Sequence, residues 1–197
     1  LAELFDILRH YSMKINPLKC SFGVASGKFL GFIVNAHGIE ASPEKIQAIW
    51  DIQVLRTIKQ VQSLNGKVAM LSRFISRATD KCIPFFDVIK KEKRNFEWTS
   101  DYEEAFRALV RHLESPPVLS KPIDHVMLYV YLAVSQHAIG TALVREEDRV
   151  QKPVYYVSKR LMRAERNYPE IEKLAYCLVI ASRKLRPYFQ AHPSNVY

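Results

Sequence analysis

Val126-Met127-Leu128-Tyr129-Val130-Tyr131-Leu132-Ala133-Val134 is an almost unbroken apolar run. Its length and its β-branched and aromatic content predict a buried strand. Ile139 to Val144 and Val154 to Val157 predict two more strands, set apart by polar turns. A long helix is predicted over Ile171 to Tyr188, with Leu174, Cys177, Leu178, Ala181 and Leu185 along one side. Upstream, Phe96-Glu97-Trp98-Thr99 leads into a helix whose apolar face is Tyr102, Phe106, Leu109 and Leu113. Ser100 and Glu103 have capping-box form at its start, and Ser115-Pro116-Pro117 stops it. The second half of the chain thus runs helix, three meander strands, helix, and then stops, which is an α+β pattern.

Further back, four of the six glycines fall between Gly23 and Gly38. They flank Phe29-Leu30-Gly31-Phe32-Ile33-Val34 and predict hairpin turns in a small sheet. Leu4, Phe5, Leu8 and Tyr11 are spaced for a short helix, and Ser42-Pro43-Glu44 opens another with Ser at the N-cap. Thr57-Ile58-Lys59-Gln60 has capping-box form and opens a longer helix with the stripe Ile58, Val61, Leu64, Val68, Leu71 and Ile75. Lys59, Gln62, Gly66, Met70 and Arg73 fall opposite that stripe. A glycine in mid-helix costs about 1 kcal/mol relative to Ala, so something should compensate. Close approach of a sugar-phosphate backbone and close packing of a neighbouring helix both fit.

The 197 residues carry 29 Lys and Arg against 20 Asp and Glu, a net charge of +9. Val54 to Arg94 alone holds ten basic residues against three acids, Asp80, Asp87 and Glu92. Such localised charge attracts a polyanion, an acidic protein or a membrane surface. At 48% hydrophobic the chain can bury a core, and no apolar run approaches the ~18 residues of a membrane span. Cys20, Cys82 and Cys177 are too few and scattered for a disulfide framework, and predict small core residues in a reducing compartment. The six histidines form no metal-binding pair, and Gly-rich phosphate loops and nucleophile elbows are missing. Glu146-Glu147-Asp148 reads as a solvated tip between strands. Locally, then, the residues point to binding rather than catalysis, with no metal site. The first residues show neither an initiator Met nor a signal-peptide pattern, and the expectation is a piece of a longer intracellular protein (cytoplasm or nucleus, not secreted).

Ile15-Asn16-Pro17-Leu18-Lys19-Cys20-Ser21-Phe22, then Phe29-Leu30-Gly31-Phe32-Ile33-Val34, resembles a reverse transcriptase. The resemblance continues through residues 38–46, Arg73-Phe74-Ile75-Ser76, Phe96-Glu97-Trp98-Thr99, Glu104-Ala105-Phe106, Pro117-Val118-Leu119 and residues 152–159. These blocks, in this order, are similar to the Pol polyprotein of gypsy-like long-terminal-repeat retrotransposons, especially plant elements. The resemblance implies the end of a polymerase palm over residues 1–50, a helical thumb over 51–95 and an RNase H-like, connection-type domain over 96–197, incomplete at its C-terminus. It makes Lys19 a candidate for assisting pyrophosphate departure, and Phe29, Leu30, Gly31 and Phe32 the primer grip. The thumb helix would follow the minor groove of an RNA–DNA or DNA template–primer duplex, with Gln62, Gly66 and Met70 at its contacting positions and Lys59 and Arg73 as the basic residues of the same face.

The departures from that pattern matter equally. The palm's catalytic aspartates would lie before Leu1. Where the RNase H-like part should carry its first Asp stands Ala133, in Leu132-Ala133-Val134-Ser135. The helix Glu falls at Leu174, with Glu172 two positions away. Val54-Leu55 replaces a proline-rich palm–thumb joint. The resemblance therefore implies a duplex-gripping reverse-transcriptase fragment with no catalytic residues and no cofactor of its own. Mg²⁺ and RNA-directed DNA synthesis belong to the parent enzyme, and the rest of the Pol polyprotein is its partner. A retrotransposon-derived, non-enzymatic module binding nucleic acid or protein is the alternative.

Overall fold

The computed structural model describes residues 1–52, 55–90 and 97–197. Val54 of the expected joint, Phe96, and the basic run Lys91, Lys93 and Arg94 lie outside them. The chain is mixed α+β, as expected, with two four-stranded sheets among the described residues.

After helix α1 (Ala2–His10) and a 3₁₀ turn (Pro17–Lys19) come β1 (Ser26–Phe29), β2 (Phe32–Asn35) and β3 (Gly38–Ala41), an antiparallel meander. The β1–β2 turn is only Leu30-Gly31, with φ of 49° and 76°. Positive φ at both central residues gives the twist that suits a two-residue hairpin, at some strain for Leu. At the β2–β3 turn the Asn35 side chain accepts the amides of His37 (2.9 Å) and Gly38 (3.0 Å). Gly38 has φ +151°, and a Cβ there would run into the Leu119 carbonyl. That close approach lets β4 (Leu119–Ser120) return about eighty residues later to pair with β3.

Between them lie α2 (Pro43–Trp50), α3 (Ile58–Leu71), α4 (Ala78–Lys90) and α5 (Ser100–Glu114). They share one apolar core with the first sheet, including Ile49, Leu64, Phe74, Phe85, Leu109, Leu113 and Leu119. Three local expectations fail here. Ser42 precedes α2 but makes no side-chain cap, and its Oγ is buried without a partner among the described residues. Glu103 does not box with Ser100: the helix starts at Ser100, and the Glu103 carboxylate accepts the Trp98 indole N–H and the Arg107 guanidinium, both at 2.8 Å. Ile75 is buried as expected, yet it lies past a 3₁₀ turn (Ser72–Phe74) that ends α3. Helix α4 buries Ala78, Cys82 and Phe85 at helical spacing, and Pro84 stands inside it.

The second sheet has the order β7-β6-β5-β8, from β5 (Leu128–Val134), β6 (Ala138–Glu147), β7 (Val150–Arg160) and β8 (Ser194–Val196). The three meander strands were expected; β8, which runs parallel to β5, was not. The single long helix is replaced by α6 (Arg163–Arg166), α7 (Glu170–Lys184) and α8 (Arg186–Ala191). Pro187 explains the break at Leu185: it cannot donate in a helix interior but fits the first turn of a new one. Helix α7 covers one face of the sheet through Cys177, Ala181 and Leu185, while Leu178 stays exposed. Cys82 and Cys177 are core residues, and burial pushes the Cys82 thiol up to about 12; Cys20 is only half-buried and sits in no core.

Helix α4 lies against the sheet. The Thr79 amide donates to Ser158 Oγ (3.0 Å), Ser135 Oγ donates to Asp80 (2.7 Å), and Arg160 pairs with Asp87 and lies over the Phe86 ring. A second knot ties β7, α6 and α7. Glu165 accepts Lys159 Nζ (2.9 Å), the Tyr176 hydroxyl (2.6 Å) and the Met162 amide (2.6 Å). Burial works to raise the Glu165 carboxyl, but the hydrogen bonds from Tyr176, Met162 and Lys159 outweigh it and hold it down to about 2.

A carboxylate depressed in the folded state stabilises the fold above its ordinary value near 4.5, and that stabilisation is lost as pH falls toward 2. Glu165→Gln should therefore lower stability by about 1–2 kcal/mol at pH 7. Urea denaturation of the two proteins should show the gap closing between pH 4.5 and pH 2; a gap independent of pH would contradict the assignment.

Candidate nucleic-acid interface

Helix α3 forms where a reciprocal cap and an apolar stripe coincide. Gln60 N donates to Thr57 Oγ1 (3.3 Å), while Gln60 Oε1 accepts the amides of Thr57 (3.1 Å) and Arg56 (2.7 Å). Val61, Leu64, Val68 and Leu71 are buried, and Ile58 is half-buried. The opposite face carries Lys59, Gln62, Gly66 and Met70, all exposed, with Met70 at 55%. A Cβ built on Gly66 meets no atom within 4 Å. Among the described residues no neighbouring helix packs against the glycine, and the space above it is open.

Arg73 does not share that face. The 3₁₀ turn carries it past the end of α3, where it is half-buried with its guanidinium over the rings of Phe32 (4.9 Å) and Tyr155 (5.2 Å). Lys45 Nζ also lies 4.5 Å from the Phe32 centroid, and Phe32 leans on Phe74 at 5.6 Å. Phe32 is therefore an inward-facing member of the β1–β2 hairpin. Phe29 and Leu30 are its exposed tip, at 64% and 78%. Gly31 has positive φ, and a side chain there would collide with the Lys45 ammonium. Lys19 is exposed at the end of its 3₁₀ turn, which Asn16 caps by accepting the Leu18 amide at 3.0 Å.

Phe32, Met70 and Arg73 line one cleft of ≈ 290 Å³ together with Tyr155, Ser158 and Lys184. Three of the residues singled out in sequence thus meet, while Lys19, Phe29, Leu30, Lys59 and Gln62 lie outside this cleft. Tyr155 and Lys184 went unnoticed because no local pattern links them to Arg73; β7 and α7 bring them in from afar.

In the second sheet, Ala133 pairs with Gly140 across β5–β6, and Leu174 is half-buried on α7. Neither side chain offers an oxygen. One turn beyond Leu174, the Cys177 thiol donates to the Gly140 carbonyl and lies 3.3 Å from Thr141 Oγ1. Glu172 is exposed, and among the described residues no three His, Cys, Asp or Glu gather. These side chains do not fit a pair of Mg²⁺ ions, which need clustered carboxylates. No described helix is long and apolar enough to cross a membrane.

The comparisons with known proteins agree with this architecture. The chain is 25% identical over 192 residues to the transposon Tf2-3 and Tf2-4 polyproteins of Schizosaccharomyces pombe, covering 97% of this chain and 14% of each relative. It spans only about a seventh of those polyproteins. Its fold matches the foamy viral protease-reverse transcriptase in complex with RNA/DNA hybrid, with a TM-score of 0.79 and 23% identity over 99% of this chain and 26% of that one. A second match is the same enzyme, in a form designated dRH, with double-stranded DNA, with a TM-score of 0.78 and 24% identity over 98% of this chain and 34% of that one. Residues 98–196, the helix α5 through strand β8, match the RNase H-like domain found in reverse transcriptase, and it is to that family that the chain belongs.

Proposed function

We propose that this chain is the duplex-gripping part of a retrotransposon reverse transcriptase of gypsy-like, plant-type lineage. The observation that carries the reading is the outward face of α3, where Lys59, Gln62 and Met70 flank a glycine with open space above it. A groove without a side chain admits a sugar-phosphate backbone, and cations beside it release counterions from the phosphates they meet. The solved structures that share the fold hold an RNA/DNA hybrid or double-stranded DNA, which supports the same ligand class.

In this reading residues 1–50 end the palm, 51–95 form the thumb and 96–197 are the RNase H-like, connection-type domain. Phe29, Leu30, Gly31 and Phe32 hold the primer end, Lys19 stands by the incoming nucleotide, and Lys59, Gln62, Gly66, Met70 and Arg73 hold the duplex. RNA-directed DNA synthesis with Mg²⁺ belongs to the parent enzyme, through carboxylates elsewhere in the Pol polyprotein. The chain alone is no nuclease in this reading, because Ala133 and Leu174 stand where the RNase H-like acids would be. The same replacement favours a second reading, a retrotransposon-derived module that binds without catalysis.

Two measurements test the proposal. Gly66→Ala should stabilise the chain by about 1 kcal/mol, since helix propensity rises and nothing is crowded. Gly66→Leu should leave thermal stability close to that of Gly66→Ala yet weaken binding to an RNA–DNA hybrid at least tenfold; equal losses of folding and binding would refute the groove. Incubation of clean protein with labelled hybrid and Mg²⁺ should yield no cleavage, and degradation would disprove the inactive-site reading.

A further inference from the structure

Several covered cations of this chain are paired with carboxylates. Arg160 meets Asp87, Lys159 meets Glu165, and Arg145 and Lys152 share Glu147. Arg73 is not so paired. Among the described residues no carboxylate or carbonyl accepts a hydrogen bond from its guanidinium, and no acid lines its cleft. Lys184, across the cleft, is equally without an anionic partner among those residues. Three other clefts of the fold each carry at least one acid among Asp51, Glu40, Glu114 and Glu147.

The stacking of Arg73 defines what it can do. The rings of Phe32 and Tyr155 lie 4.9 and 5.2 Å from the guanidinium carbon, which sits over both and leaves its N–H donors without an acceptor among the described residues. A planar cation clamped in that way has lost little freedom still to lose, and is pre-organised for two parallel hydrogen bonds to one anion. Partial burial without a counter-ion leaves a desolvation cost that an arriving anion relieves.

We infer that the Arg73–Tyr155–Lys184 cleft is a phosphodiester subsite, through which a nucleic-acid strand leaving the thumb helix is held against the RNase H-like sheet. The inference rests on the duplex-binding reading above and extends it to two residues of the second sheet and its covering helix. Met70 provides the continuity, because it belongs both to the exposed face of α3 and to the wall of the cleft. Lys59 to Met70 spans about 16 Å of helix, matching roughly five successive phosphates of one strand. A strand laid along that face is led into the cleft. The volume of ≈ 290 Å³ admits a phosphate with its flanking sugars.

Fluorescence anisotropy of the 197-residue chain with a 20-base-pair RNA–DNA hybrid, across a salt series, tests the assignment. Lys184→Ala lies on the surface and should fold as the parent does. It should lower the slope of log affinity against log salt by about 0.9, the signature of one lost phosphate contact. Arg73→Gln should lose at least that much, and Tyr155→Leu, which keeps every charge, should still weaken binding several-fold by releasing the guanidinium. Circular dichroism melts guard against unfolding in the two half-buried variants. If Lys184→Ala and folded Arg73→Gln keep the parental slope while Gly66→Leu loses binding, the cleft inference falls and the thumb reading stands. If the parent chain shows no salt-dependent binding, both fall. Competition by polyglutamate as strong as by hybrid, at equal charge, overturns the phosphodiester assignment in favour of an acidic protein ligand.

Discussion

The geometry of this molecule depends on the seam where α4 rests on the second sheet. Three polar contacts (Thr79 to Ser158, Asp80 to Ser135, Asp87 to Arg160) and the Arg160–Phe86 stack fix one helix against strands that begin some fifty residues later. Charge-assisted pairs of this kind contribute modestly where water reaches them, and more where, as at Arg160, one partner is largely covered. Their larger effect is geometric. They set the distance between the end of α3 and strand β7, and so decide that Arg73 faces Tyr155 across a cleft rather than open water. Without the seam the two sheets would each keep a core, but the clamped guanidinium would have one ring instead of two.

Much of this architecture was legible in the residues. The capping box at Thr57, the apolar stripe of α3 and the three meander strands are local signals, and each element formed where the signal lay. The failures share a cause, which is that a tertiary partner overrode a local preference. Glu103 prefers the Trp98 indole and Arg107 to its own helix cap, because Trp98 is itself held by stacking on Phe85. Ser42 is buried against the core and loses its capping role. Strand β8 is short and polar, and only its parallel pairing with β5 makes it a strand at all. Pro187 divides the single helix expected over Ile171 to Tyr188, whereas Pro84 is tolerated inside α4.

The candidate site was half visible for the same reason. A helical wheel finds Lys59, Gln62, Gly66 and Met70, since their relation is one of sequence spacing. It misassigns Arg73, because the chain leaves the α-helical path at Ser72. It misses Tyr155 and Lys184 altogether. At the two positions where the resemblance led one to look for acids stand Ala133 and Leu174, and neither side chain offers an oxygen.

The tip of the first hairpin has a consequence for how the molecule yields under stress. Leu30 adopts a left-handed conformation that costs a branched side chain energy, and its side chain recovers none of that by burial within the chain. The turn is thus locally frustrated, its backbone preference at odds with the strand register that Phe29 and Phe32 impose. Beside it, β1 is a short outer strand whose residues are all exposed. Opening should begin there, so that the hairpin frays as a small independent unit while the α4 seam and both cores remain intact.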